Sequence, residues 1–188
     1  MLAVMAVGEV GTVWYLARRD PALLQRRLHR ASSDEESRRQ EVLSTVARVG
    51  MLVAISVSAV DHRMGWSATP TAMWALGDAL IAVGMVVMWL AFRANTFAAA
   101  TVQVTESQKL VSHGPYASVR HPMYSGFLVV LLGIPLALDS WWGLVPAGFA
   151  AVAIVLRLLG EERVLEDRLA GYREYRDRVR YRVAPLVW

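Results

Sequence analysis

Five apolar runs, each about long enough to cross roughly 30 Å of hydrocarbon, divide this chain. They cover residues 2–17, 42–60, 71–92, 123–138 and 141–159, and nearly all of the charge lies in blocks between them. With 55% of the 188 residues hydrophobic and only 19% charged, such segregation does not suit one soluble core. Helices satisfy every backbone hydrogen bond within the segment, so the pattern predicts an all-α integral membrane protein of about five transmembrane helices. The first run starts at Met1 with no basic stretch before it and no small-residue cleavage site, and is read as a retained helix. The fourth and fifth are joined by Asp139 and Ser140 alone, which leaves room for a tight C-terminal helical hairpin.

Orientation follows from the 20 Lys and Arg residues. Eight fall in residues 18–48, one (Arg63) in the next connection, three between 93 and 120, none between runs four and five, and eight from Arg157 onward. Basic and non-basic loops alternate, so the positive-inside rule puts the N-terminus outside and the C-terminus in the cytoplasm, in the cell's inner (plasma) membrane. Trp66, Trp141 and Trp142 then fall at the outer interface, where indoles prefer to lie.

There is no cysteine, so disulfides, thiolate metal sites and a cysteine nucleophile are excluded, and no metal site is expected. The net charge of +4 is accounted for by arginines flanking spans, so anionic lipid head groups, not nucleic acid, are the expected partners. The loop 18–41 carries Ser32, Ser33, Asp34, Glu35 and Glu36, a cap and acidic first turn, and predicts a surface helix leading into the second span. In the tail, residues 160–182 place Val164, Leu165, Leu169, Tyr172, Tyr175 and Val179 at helical spacings among charges, which predicts an amphipathic helix on the cytoplasmic membrane face.

The densest polar stretch runs from His113 to Gly126 and sets two His, two Tyr and one Arg against a span boundary. Gly114-Pro115 forces a turn, and Pro122 suits a first helical turn because its missing N–H has no partner there. Arg120 and His121 precede that helix N-terminus, whose free N–H groups favour an anion. The plain alternative is a juxtamembrane anchor. A second constellation is Arg157, Glu161 and Glu162, with Gly160 allowing a bend before the acids. Adjacent acids on a helix face different ways: one is placed to pair with Arg157, leaving the other for a ligand cation, unless both merely serve the helix dipole. Glu9, Arg48 and Asp78 lie inside apolar runs and are read as structural, and Gly77 and Gly84 suit close packing within the bundle or against a second copy.

The string His113-Gly114-x-Tyr116-x3-Arg120-His121-Pro122-x-Tyr124-x-Gly126, followed by Arg157-x3-Glu161-Glu162-x2-Leu165, Tyr172-x2-Tyr175 and Val179-x2-Arg182-x2-Pro185, resembles the isoprenylcysteine carboxyl methyltransferase family and the related phospholipid methyltransferases. The resemblance covers about residues 95–188, which it marks as the catalytic, cofactor-binding region. Residues 1–94 match only as membrane spans and carry little functional information. It implies S-adenosylmethionine bound at the cytoplasmic face and a lipophilic or lipidated acceptor entering from the bilayer. By position, His113, Gly114, Tyr116, His121, Pro122 and Tyr124 would line the cofactor pocket, and Glu161 or Glu162 would hold the methionine ammonium. Arg120, a catalytic residue together with Glu162, would orient an anionic acceptor near the methyl group, with Tyr172, Tyr175 and Arg176 closing the substrate side.

The acceptor decides the chemistry. A carboxylate, the expected acceptor, needs positioning and desolvation, and a two-point arginine clamp supplies the former. An amine must lose a proton, which assigns a base role to His121 or a carboxylate. Rival readings are an NADPH-dependent membrane reductase of sterol-reductase type and a non-enzymatic membrane scaffold or transporter.

Overall fold

A computed structural model describes residues 35–95 and 110–188. Among these the chain forms α1 (Glu35–Met64), α2 (Thr71–Ala94), a 3-10 turn (Gly114–Ala117), α3 (Pro122–Ala137), α4 (Leu144–Arg168) and α5 (Tyr172–Arg178), with no strand. The run 2–17 with Glu9, and most of the basic loop after it, lie outside the described residues.

Three helices are long and apolar enough to cross a membrane, over Arg38–Met64, Thr71–Ala94 and Leu144–Arg168. At 1.5 Å per residue each measures about 36–40 Å. Pro122–Ala137 is apolar but has 16 residues, or about 24 Å. Large apolar side chains face outward along the bundle, among them Val42, Leu52, Val83, Val86, Val152 and Phe149, the last 71% exposed. Such a surface suits lipid and not water.

Small residues set the packing. Antiparallel α2 and α3 meet through two glycine pairs: a Cβ on Gly84 would stand 2.5 Å from the Gly126 carbonyl oxygen, and one on Gly77 2.7 Å from that of Gly133. Gly77 and Gly84 thus serve the bundle itself, and their lack of a side chain lets the backbones touch. Antiparallel α1 and α4 meet through Ala47 and Ala54 against Ala147, Ala150 and Ala153, with Gly50 so close that its Cβ would lie 2.8 Å from Ala150 Cβ.

At the end carrying Trp66, Trp141 and Trp142, polar side chains tie the two connections together. Asp61, fully buried, accepts from the Ser67 amide at 2.9 Å, the Ser67 hydroxyl and the Ser140 hydroxyl at 2.5 Å. The Thr69 amide donates to Asp139 at 2.8 Å, and the Thr69 hydroxyl donates to it as well. These bonds, with His62 beside it, hold the Asp139 carboxyl below its ordinary range. Of the polar groups flagged within apolar runs, Arg48 is exposed beside Thr45 and Asp78 is half-buried in α2.

The acidic residues Glu35 and Glu36 open α1, which runs on without a break through the span, and the part of the loop 18–41 before Glu35 lies outside the described residues. One expectation is corrected: residues 160–182 do not form one amphipathic helix. Gly160 is buried inside an uninterrupted α4, which ends at Arg168; Leu169 turns extended, and Gly171 adopts φ 79°, a left-handed conformation that glycine permits. The break turns Tyr172 and Tyr175 inward, where a straight helix would carry them away from the bundle.

Candidate functional site

The site forms where α3 begins. Pro122 opens the helix after His121, whose side chain makes no cap hydrogen bond. An extended strap from the tail packs there instead: the Arg120 amide donates to Tyr181 O at 2.9 Å, the His121 amide to Arg182 O at 2.8 Å, and Ser125 Oγ to Val183 O at 2.6 Å. Arg120 adds its side chain, Nη1 donating to Val179 O at 3.0 Å and to Arg180 O at 3.2 Å.

The anion favoured at this helix start is the protein's own. Buried Glu162 accepts from Arg120 Nε at 2.7 Å on Oε1, with His121 Nε2 at 3.4 Å from the same oxygen, and from Arg182 Nε at 2.7 Å on Oε2. Both oxygens are therefore committed. Arg182 in turn lies over the Trp188 ring at 4.9 Å.

Glu161 faces another way, as adjacent positions on a helix must. Its Oε2 accepts from the Tyr124 hydroxyl at 2.5 Å, and Arg157 Nε donates to that hydroxyl at 2.8 Å. Arg157 Nη1 reaches the main-chain carbonyl of Gln40 on α1 at 3.0 Å. Arg157 and Glu161, expected as a pair, thus meet on the Tyr124 hydroxyl. The His121 and Tyr124 rings lie 5.7 Å apart.

Three further tyrosines stand by. Tyr175 donates to the carbonyl of buried Tyr116 at 2.7 Å, and its ring lies 5.8 Å from that of Tyr172. The Tyr172 hydroxyl is buried with no hydrogen-bond partner among the described residues. Burial pushes both hydroxyls up, helped by Glu162 near Tyr172 and by Tyr116 near Tyr175, so both stay protonated donors at neutral pH. Tyr175→Phe is expected to lower stability by about 1–2 kcal/mol, read from thermal unfolding in detergent, since the buried carbonyl loses its donor; an unchanged melting temperature would contradict that role.

Arg120, His121, Pro122, Tyr124, Glu161 and Glu162 are brought together, with Tyr116, Tyr172 and Tyr175 alongside. His113 and Gly114 stand apart at an exposed turn, Gly114 at φ 61°. Arg176 is engaged at the surface with Glu166 at 2.8 Å and Asp177 at 3.3 Å. Sequence reasoning assigned no role to Arg182, Ser125 or Gln40. For Gln40 the signal is its place on a buried face, since Gln40, Ala47, Ala54 and Asp61 form one seven-residue stripe of α1, all buried; Arg182 and Ser125 carry no such signal.

Residues 72–170, just over half of the chain, match the family described as phospholipid methyltransferase. The matched stretch begins in the first turn of α2, ends just after α4, and contains both Arg120–Tyr124 and Glu161–Glu162. No curated protein matches the chain.

Proposed function

The chain belongs to the phospholipid methyltransferase family, and from that premise we propose that it is an S-adenosylmethionine-dependent methyltransferase of lipophilic acceptors, working at the basic, cytoplasmic end of its helix bundle. The observation that carries this reading is the meeting of Arg120 with Glu162, 42 positions apart in sequence, beside Tyr124 and Glu161.

The residues at this end fit the cofactor. Glu161 makes no hydrogen bond among the described residues beyond that on Oε2, so its other oxygen is placed for an ammonium. The Tyr172 hydroxyl is a buried donor in want of an acceptor, and the tyrosine rings offer faces to a cationic sulfur. Glu162, saturated by Arg120, His121 and Arg182, serves to organise the site.

When bound, S-adenosylmethionine supplies a methyl group on a good leaving sulfur. The protein's part is to align the acceptor, exclude water and manage its proton. An acceptor carboxylate, as the sequence resemblance implies, attacks without a base and is held by arginine. An amine acceptor is the second reading, and the commitments of Arg120 favour it: Nε and Nη1 already bind Glu162 and two carbonyls, so a two-point clamp on an incoming carboxylate has little to draw on. In that case His121 is placed to take the proton.

Incubation of the purified protein with methyl-labelled S-adenosylmethionine and a membrane lipid extract or prenylated peptides tests the proposal. Label is expected in the lipid or peptide fraction. Mild alkali then separates the acceptors, because a methyl ester releases labelled methanol and an N-methyl group does not. Thermal shift adds a check: a ligand at 100 times its Kd stabilises by about 2.7 kcal/mol. Stabilisation by NADPH and not by S-adenosylmethionine would favour a reductase; no label transfer and no stabilisation by either would favour a scaffold.

A further inference from the structure

Hydrogen-bond polarity in the group Gln40, Arg157, Tyr124 and Glu161 is fixed from both ends. A main-chain carbonyl and a carboxylate only accept, and a guanidinium only donates. Arg157 Nη1 donates to Gln40 O at 3.0 Å and Nε donates to the Tyr124 oxygen at 2.8 Å. The tyrosine proton therefore has one place to go, Glu161 Oε2 at 2.5 Å. A hydroxyl that accepts from a cation is itself a stronger donor, so the arginine tightens the bond beyond it. Arg157 is buried, and the relay joins three helices: α1 through Gln40, α4 through Arg157 and Glu161, and α3 through Tyr124.

We propose that Arg157 and Tyr124 are positioning residues for Glu161, and that α1, which lies outside the family-matched residues 72–170, anchors them through the Gln40 carbonyl. Glu161 is thereby held with Oε2 turned to α3 and its second oxygen presented to a ligand cation. On this proposal residues 1–94, expected to carry little functional information, contribute to the site through α1. The inference rests on the reading that Glu161 receives the cofactor ammonium, and says what aims it.

The test is binding of S-adenosylmethionine and of S-adenosylhomocysteine, which shares the ammonium but lacks the sulfonium charge, to the full chain in detergent by calorimetry. Glu161→Gln is expected to weaken both ligands alike, and Tyr124→Phe to weaken both about tenfold, the size of a hydrogen bond to a charged group. Arg157→Gln should match Tyr124→Phe, while Arg157→Lys, which keeps the charge but not the two-ended reach, retains part of the affinity. The deciding readout is the double variant: Tyr124→Phe added to Glu161→Gln should weaken binding no further, because nothing remains to be aimed. A purely structural tyrosine would subtract in both backgrounds, and that outcome overturns the proposal, as do undiminished binding in Tyr124→Phe or a loss confined to S-adenosylmethionine. If the unaltered protein binds neither ligand, the functional reading falls and this inference with it; binding that survives every relay variant removes the inference alone.

Discussion

Glu162→Gln is expected to destabilise the protein by about 3–5 kcal/mol, the range for removing one partner of a buried ion pair. Glu162 is the one carboxylate paired with Arg120, His121 and Arg182 among the described residues, and the Arg120 side chain is only 5% exposed. The guanidinium of Arg182 is partly exposed and can turn to solvent, but that of Arg120 has nowhere to go. The same arginine holds the strap through Val179 O and Arg180 O, so the strap should loosen in the variant. Two measurements check this: thermal unfolding in detergent, and limited trypsin digestion, which should cut after the exposed Arg178 and Arg180 well before the unaltered protein is cleaved. Arg182→Gln should lower stability less. Equal melting temperatures for Glu162→Gln and the parent would mean that the ion cluster contributes nothing to the fold.

Gly84→Leu should be at least as damaging, with an expected loss of about 3 kcal/mol or more. Overpacking a core ordinarily costs about 1–3 kcal/mol because neighbouring side chains shift. Here the obstacle is backbone: the new Cβ would meet Gly126 O at 2.5 Å and Val130 N at 3.0 Å. Helix α2 must move off α3, which also opens the contact of Gly77 with Gly133 and Ala137 seven residues along. Gly148→Leu is the control, because nothing lies within 4 Å of a Cβ there, and in a helix leucine gains somewhat under 1 kcal/mol over glycine. Comparable losses at positions 84 and 148 would show that the glycine contact does not hold the two helices together.

The helices were legible in the sequence where apolar runs are long and their ends punctuated. The run 71–92 became Thr71–Ala94, and 123–138 became Pro122–Ala137, because Pro70, Asn95 and Pro122 mark boundaries by their own backbone preferences. The link expected at Asp139 and Ser140 alone is longer, since α3 ends at Ala137 and α4 begins only at Leu144. The tail was misread because helical spacing of Leu169, Tyr172 and Tyr175 persists across a break that Gly171 permits. At the site, the motifs named Arg120, His121, Tyr124 and the two glutamates, since polar groups so dense beside a span need partners. They did not reveal that Arg182 competes for the same carboxylate, or that a main-chain carbonyl of α1 completes the relay. A carbonyl contact carries no side-chain signature.

Helix α3 has 16 residues, against 24 and 25 in α2 and α4. It is thus about 6 Å shorter than an average hydrocarbon slab, and mismatch costs fractions of a kcal/mol per Å. A bilayer crossed by this helix would have to thin beside it, or its lipid tails would press toward the buried ions at the helix start. Bilayer thickness would then bear on Arg120 and Glu162, whose charges would lie closest to water in a thin membrane.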